Sequence, residues 1–86
     1  MSSIYQLTLN RDSVKFLAKH EKAIQERIRK ALIGLARRPP IGDIKPMKGQ
    51  GKLMRLRVGT YRILFEVNHT EKIVSILTID NRGDIY

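Results

Sequence analysis

Eighty-six residues without a cysteine leave room for one modest core and exclude both a disulfide framework and a thiolate metal site. Two isolated histidines, His20 and His69, do not make a histidine-rich metal site, and no apolar run approaches the roughly 18 residues that a membrane-spanning helix needs. Seventeen Lys and Arg against eight Asp and Glu give a net charge of +9, and the excess is concentrated: from Arg27 to Arg62 eleven basic residues stand against one acid, Asp43. A block like that is the electrostatic footprint of a polyanion partner, nucleic acid first, with a merely solvated basic surface as the plainer alternative. The opening MSSIYQLTLNRD lacks the charged and apolar regions of a signal peptide, so a cytoplasmic location is expected.

Along the chain, Ile4 to Leu9 alternates weakly and predicts a first strand. Asn10 or Asp12 is placed to cap a helix whose apolar side is Val14, Phe16 and Leu17. The pattern resets around His20. Residues 21–36 then carry Ile24, Ile28, Ala31, Leu32 and Leu35 at helical spacing, a core stripe, and Pro39-Pro40 stops the helix after Arg37 and Arg38. His20, at the junction, reads as a surface or capping residue rather than a catalyst. Residues 39–51, PPIGDIKPMKGQG, hold all three prolines and three of the six glycines and predict a long ordered loop, with Lys45, Lys48 and Lys52 along it and at its exit. Three strands follow, about 52–58, 60–67 and 73–79, with Asn68 to Glu71 turning between the last two and making His69 a turn residue. The expectation is a single α+β domain over residues 1–86: a strand, a two-helix hairpin, then a three-stranded antiparallel meander with the helices on one face.

The stretch RLRVGTYRILFEV sharpens this. Gly59-Thr60 suits a two-residue turn with glycine first, and that register sets Val58 opposite Tyr61, Arg57 opposite Arg62, Leu56 opposite Ile63, Arg55 opposite Leu64 and Met54 opposite Phe65. One face is then core; the other carries Arg55, Arg57, Arg62 and Glu66 with Leu53 and Leu64 among them, and a slip of one residue would bury the arginines. Opposed like charges destabilise a sheet by roughly 0.2–1 kcal/mol. Glu66, Asp80 or Asp84 bridging the guanidinium groups would relieve this, and so would a phosphate, which guanidinium binds bidentately; the two can both hold. Pairing Val67 with Lys72 would bring Leu77 opposite Arg62 with Ile79 nearby, giving the arginines an apolar-walled cleft.

The order of strand, two helices and meander resembles the RelE/ParE toxin superfamily of bacterial and archaeal toxin–antitoxin systems. So do the segment KPMKGQGKLMRLRVGTYRILFEV and a last strand running into an R-x-x-x-Y ending. The likeness covers nearly the whole chain and is most specific over RLRVGTYRILFEV followed by IVSILTIDNRGDIY. It implies the toxin of a type II system. RelE-type members are ribosome-dependent endoribonucleases that cut translated mRNA by attack of the ribose 2′-hydroxyl, without metal or other cofactor; ParE-type members share the fold and inhibit DNA gyrase. A homologue that only binds RNA is a further alternative. Carried over by position, the RelE-type second-strand arginine is Arg62, the arginine after the last strand is Arg82 and the C-terminal tyrosine is Tyr86. The branch often carries two lysines on the first meander strand; here Leu53 and Arg55 stand there, with Lys52 one residue away on the other side of the strand. Arg55, always protonated, stabilises charge but is a poor base, so Lys52, Lys48 and Tyr86 are the candidates for taking the 2′-hydroxyl proton. Arg57 adds positive field beside them. Basic residues outside the cleft, such as Arg27, Lys30, Arg37, Arg38 and Lys45, are then contacts for ribosomal RNA, and an acidic antitoxin that wraps the domain is the implied protein partner.

Overall fold

The computed structural model describes residues 4–81. β1 (Gln6–Leu9) leads into α1 (Arg11–Ala18) and α2 (Lys22–Ala36), followed by β2 (Asp43–Pro46), β3 (Met54–Val58), β4 (Tyr61–Asn68) and β5 (Ile73–Asn81). The strands make one sheet in the order β1-β5-β4-β3-β2, antiparallel except for β1, which runs parallel to β5. The class is the expected α+β, but the meander has four strands, not three. β2 lies inside the segment expected to be loop. Its four residues, DIKP, show no alternation and end in proline. They form a strand because β3 supplies a partner on one side, and at a sheet edge the outer side of Pro46 needs no donor.

Asn10 is the residue that caps α1: its Oδ1 accepts from the Ser13 N–H at 3.0 Å, and its Nδ2 donates to the Leu77 carbonyl at 2.7 Å, tying the helix start to β5. Replacing it by alanine removes both bonds and is expected to cost about 1–2 kcal/mol, a fall of roughly 5–15 °C in melting temperature. Asn10→Asp, which keeps the cap oxygen, should recover most of that; an Asn10→Ala variant melting with the wild type would show that the cap contributes nothing. The joint between the helices is also closed by hydrogen bonds. His20 Nδ1–H donates to the Phe16 carbonyl at 2.7 Å while its ring stacks on Phe16, and Gln25 Nε2 donates to the carbonyls of Leu17 and His20. His20 is therefore a capping residue.

Ile28, Leu32 and Leu35 recur along one side of α2 and are buried against Leu56, Ile63, Phe65, Val74, Ile76 and Ile79 of the sheet. Each such side chain taken out of water contributes about 1.5–3 kcal/mol, which is what holds α2 onto the sheet. The β3–β4 hairpin has the expected register at every pair from Val58↔Tyr61 to Met54↔Phe65, with Gly59 at φ +61 as a primed turn requires.

The β4–β5 register is not the expected one. Lys72, at φ +58, belongs to the turn, so Val67 faces Val74 rather than Lys72, and Leu77 is then left without a Cα partner where the register shifts. That bulge reverses which side chains face the core beyond it. Ile79 is buried opposite Ile63, and Asp80, not Leu77, stands opposite Arg62. The arginines are accordingly bordered on β5 by Thr78 and Asp80, not by an apolar wall.

Candidate nucleic-acid interface

On the sheet face away from the helices one transverse row runs across four strands: Asp43 on β2 pairs with Arg57 on β3, Arg57 with Arg62 on β4, and Arg62 with Asp80 on β5. The order is acid, base, base, acid. The next row is Lys45, Arg55, Leu64 and Thr78. The opposed arginines are thus each drawn outward to a carboxylate of their own. Arg57 Nε donates to Asp43 Oδ2 at 3.0 Å and its Nη2 lies 3.0 Å from the same oxygen. The other oxygen, Oδ1, is 3.6 Å from Arg55 Nη2, and on the far side Arg62 Nη2 is 3.6 Å from Asp80 Oδ2.

The last two distances are ion-pair contacts too long for hydrogen bonds. Arg55 Nη2 and Arg62 Nε are moreover buried from solvent with no hydrogen-bond partner among the described residues. An unsatisfied buried donor costs about 1–3 kcal/mol, more when charged. The guanidinium groups that carry these two donors, on side chains 19% and 25% exposed, thus keep hydrogen-bonding capacity that Asp43 and Asp80 do not fill.

Of the residues expected at the site, the structure brings together Arg55, Arg57 and Arg62, with Lys45 beside Arg55 on the edge strand. Lys52 precedes β3 and lines a cavity on the helix side of the sheet with Met54, Phe65 and Val67, away from the arginine row. Lys48 is exposed between β2 and β3, and Arg37 is exposed just past α2. Arg38 is engaged elsewhere: its guanidinium lies over the Tyr5 ring at 4.0 Å, and the Tyr5 hydroxyl is 2.9 Å from His69 Nδ1. Arg27 reaches across to the hairpin, close enough that a Cβ on Gly59 would stand 2.6 Å from its Nη2. Arg82, Asp84 and Tyr86 lie outside the described residues.

Asp43 was not among the expected site residues, although it is the one acid inside the basic block. Its role depends on β2, and only a strand at 43–46 places it opposite Arg57. Among the described residues no three His, Cys, Asp or Glu side chains are grouped to hold a metal ion, and no helix is long and apolar enough to cross a membrane.

Residues 8–86 match the family described as ParE toxin of type II toxin-antitoxin system, parDE, and the chain belongs to that family. Among solved structures it is similar to the archaeal RelE–RelB complex from Pyrococcus horikoshii OT3, at 29% identity over 93% of this chain and 97% of that one, TM-score 0.79. It is similar also to the toxin–antitoxin complex RelBE2 from Mycobacterium tuberculosis, at 26% identity over 92% and 99%, TM-score 0.79. The isolated E. coli RelE toxin shares the fold, with 18% identity over 90% and 83% and a TM-score of 0.75. No curated protein sequence is a significant match. The protein is thus a toxin of a type II toxin–antitoxin system with a RelE-like fold.

Proposed function

We propose that this toxin is a ribosome-dependent endoribonuclease that cuts translated mRNA in the cytoplasm, its whole chain, 1–86, acting as one domain. The observation that carries the reading is the pair of buried, unpartnered guanidinium N–H groups on Arg55 and Arg62, one strand apart on an open polar face. The arginines they belong to suit a phosphodiester, because guanidinium groups from two strands can meet different oxygens of one phosphate.

In the reaction the ribose 2′-oxygen forms a bond to the adjacent phosphorus and the bond to the 5′-oxygen breaks as that oxygen takes up a proton, from solvent or from the group that removed the 2′-hydroxyl proton, leaving a 2′,3′-cyclic phosphate and a 5′-hydroxyl. Arg62 and Arg55 stabilise the charge that builds on the phosphate oxygens, and Arg57 adds field. Each donor aimed at developing charge contributes about 10²- to 10³-fold. Arg82 and Tyr86 complete the proposed set, with Tyr86 or Lys48 taking the 2′-hydroxyl proton. Lys52, on the other side of the sheet, is the weakest of the base candidates. In-line geometry, worth several orders of magnitude in a well-oriented reaction, is supplied by the ribosome holding the message, so free RNA should be cut poorly. Arg27, Lys30, Arg37 and Lys45, exposed on helix and edge surfaces, are proposed contacts for ribosomal RNA. An acidic antitoxin is the proposed protein partner, in keeping with the solved complexes of its relatives, and its carboxylates would compete for the same arginines.

The family model's name favours a second reading, inhibition of DNA gyrase without catalysis. Mapping mRNA 5′ ends after brief induction separates the two. New ends at codon positions of translated messages are the expected result; arrested growth with no new ends would transfer the assignment to gyrase.

A further inference from the structure

We propose that Asp43 is a positioning residue of the arginine face, an internal stand-in for phosphate that holds Arg57 aimed while opposing loose attachment of RNA. The inference rests on reading that face as the phosphate-binding surface.

The geometry is specific. One carboxylate serves two guanidinium groups two residues apart on β3: Oδ2 takes Nε and Nη2 of Arg57, and Oδ1 stands 3.6 Å from Nη2 of Arg55. Arg57 is on the open face, 46% exposed, and a side chain of that length is otherwise free to swing. The pair with Asp43 turns it toward β2 and away from Arg62, its cross-strand neighbour, while Asp80 draws Arg62 the other way. Two like charges that would repel are in this way set apart, with the gap between them bounded by cations on both sides.

The same contact makes Asp43 a competitor. Phosphate oxygens and carboxylate oxygens seek the same guanidinium edge. Asp43 is 40% exposed, and a pair in contact with water is weak and exchangeable. A phosphodiester held in register can therefore displace it, whereas a phosphate arriving loosely meets a negative charge at the margin of the row. In a block whose other charges are all basic, this one acid is placed where it discriminates between the two.

The test compares wild type with Asp43→Asn and Asp43→Glu. Binding of a short labelled single-stranded RNA is measured by fluorescence anisotropy from low to high salt, and cleavage of ribosome-bound mRNA is measured at saturation. Asp43→Asn should bind free RNA about three- to tenfold more tightly at low salt, with the log K against log salt slope steeper by about 0.7 for each arginine released. Its kcat should fall, because Arg57 is no longer held in place. Asp43→Glu should return both values toward wild type. A folded Asp43→Asn with unchanged affinity and slope overturns the proposal, and so does a lowered melting temperature with unchanged affinity, which would make the acid a tie between β2 and β3. Tighter binding with unchanged kcat overturns the positioning role. Failure of the wild type to cut ribosome-bound mRNA would sink the nuclease reading instead, and the binding measurements would still decide for or against Asp43.

Discussion

Arg62→Ala should lose about 10²- to 10³-fold in cleavage of ribosome-bound mRNA while melting within a few degrees of the wild type. The two halves of this expectation have separate causes. Arg62 is one of the two inner arginines of the transverse row, so removing it deletes a guanidinium group that the proposed reaction places on the phosphate. Its stabilising contact is a single 3.6 Å ion pair to a one-third exposed Asp80. Pairs of that kind contribute about 0–1 kcal/mol, and the lost repulsion from Arg57 offsets some of it. Arg62→Lys should recover part of the rate, since the charge remains but the Nε–H does not. Cleavage by Arg62→Ala at the wild-type rate would remove Arg62 from the catalytic set.

The second large effect concerns stability. Gly42 has φ +140, and a Cβ there would stand 2.6 Å from Cδ1 of Leu56, a core side chain 1% exposed. Gly42→Ala therefore combines backbone strain with overpacking against a side chain that cannot retreat, for an expected cost of about 2–4 kcal/mol. For a domain of this length, stable by about 4–13 kcal/mol, that means a fall in melting temperature of roughly 10–25 °C. Gly49→Ala is the control: its φ is +73, but nothing lies within 4 Å of the added Cβ, so only the strain of about 1–2 kcal/mol remains. Equal melting temperatures for the two variants would show that the approach of residue 42 to Leu56 is not tight. Because Gly42 precedes Asp43, the damaged variant should also loosen the hold on Arg57, detectable as altered salt dependence of RNA binding.

The β3–β4 hairpin was legible in the sequence because two local signals agree: a glycine-first turn, and strict alternation whose slip would bury three arginines. The helices were legible for similar reasons, α1 from a capping residue and α2 from an apolar stripe of the right period. β2 was not, since four residues ending in proline carry no period and become a strand only when β3 lies alongside. The register of β5 was not legible either. It depends on Lys72 adopting a positive φ and on the unpaired Leu77, which docks its carbonyl on Asn10 from the far end of the chain. These two gaps are what separated the expected apolar-walled cleft from the observed charged row. Arg55, Arg57 and Arg62 could be placed from the hairpin alone, and Asp80 was one of three acids expected to relieve them, whereas the role of Asp43 waited on a strand positioned by tertiary contacts. Arg82 and Tyr86 rest on the resemblance.

The place of β5 in the sheet has a consequence for how the toxin comes into being. The last of the described strands to be synthesised lies between β1, the first, and β4, and contributes Val74, Ile76 and Ile79 to the core. Until residues 73–81 have left the ribosome, β1 has no strand partner, α1 lacks the strand it is tied to, and Arg62 lacks Asp80. Contacts so distant in sequence form late, after the entropy of closing a long loop has been overcome. A nascent chain of this protein should therefore remain unfolded, and without toxin activity, until translation has passed β5.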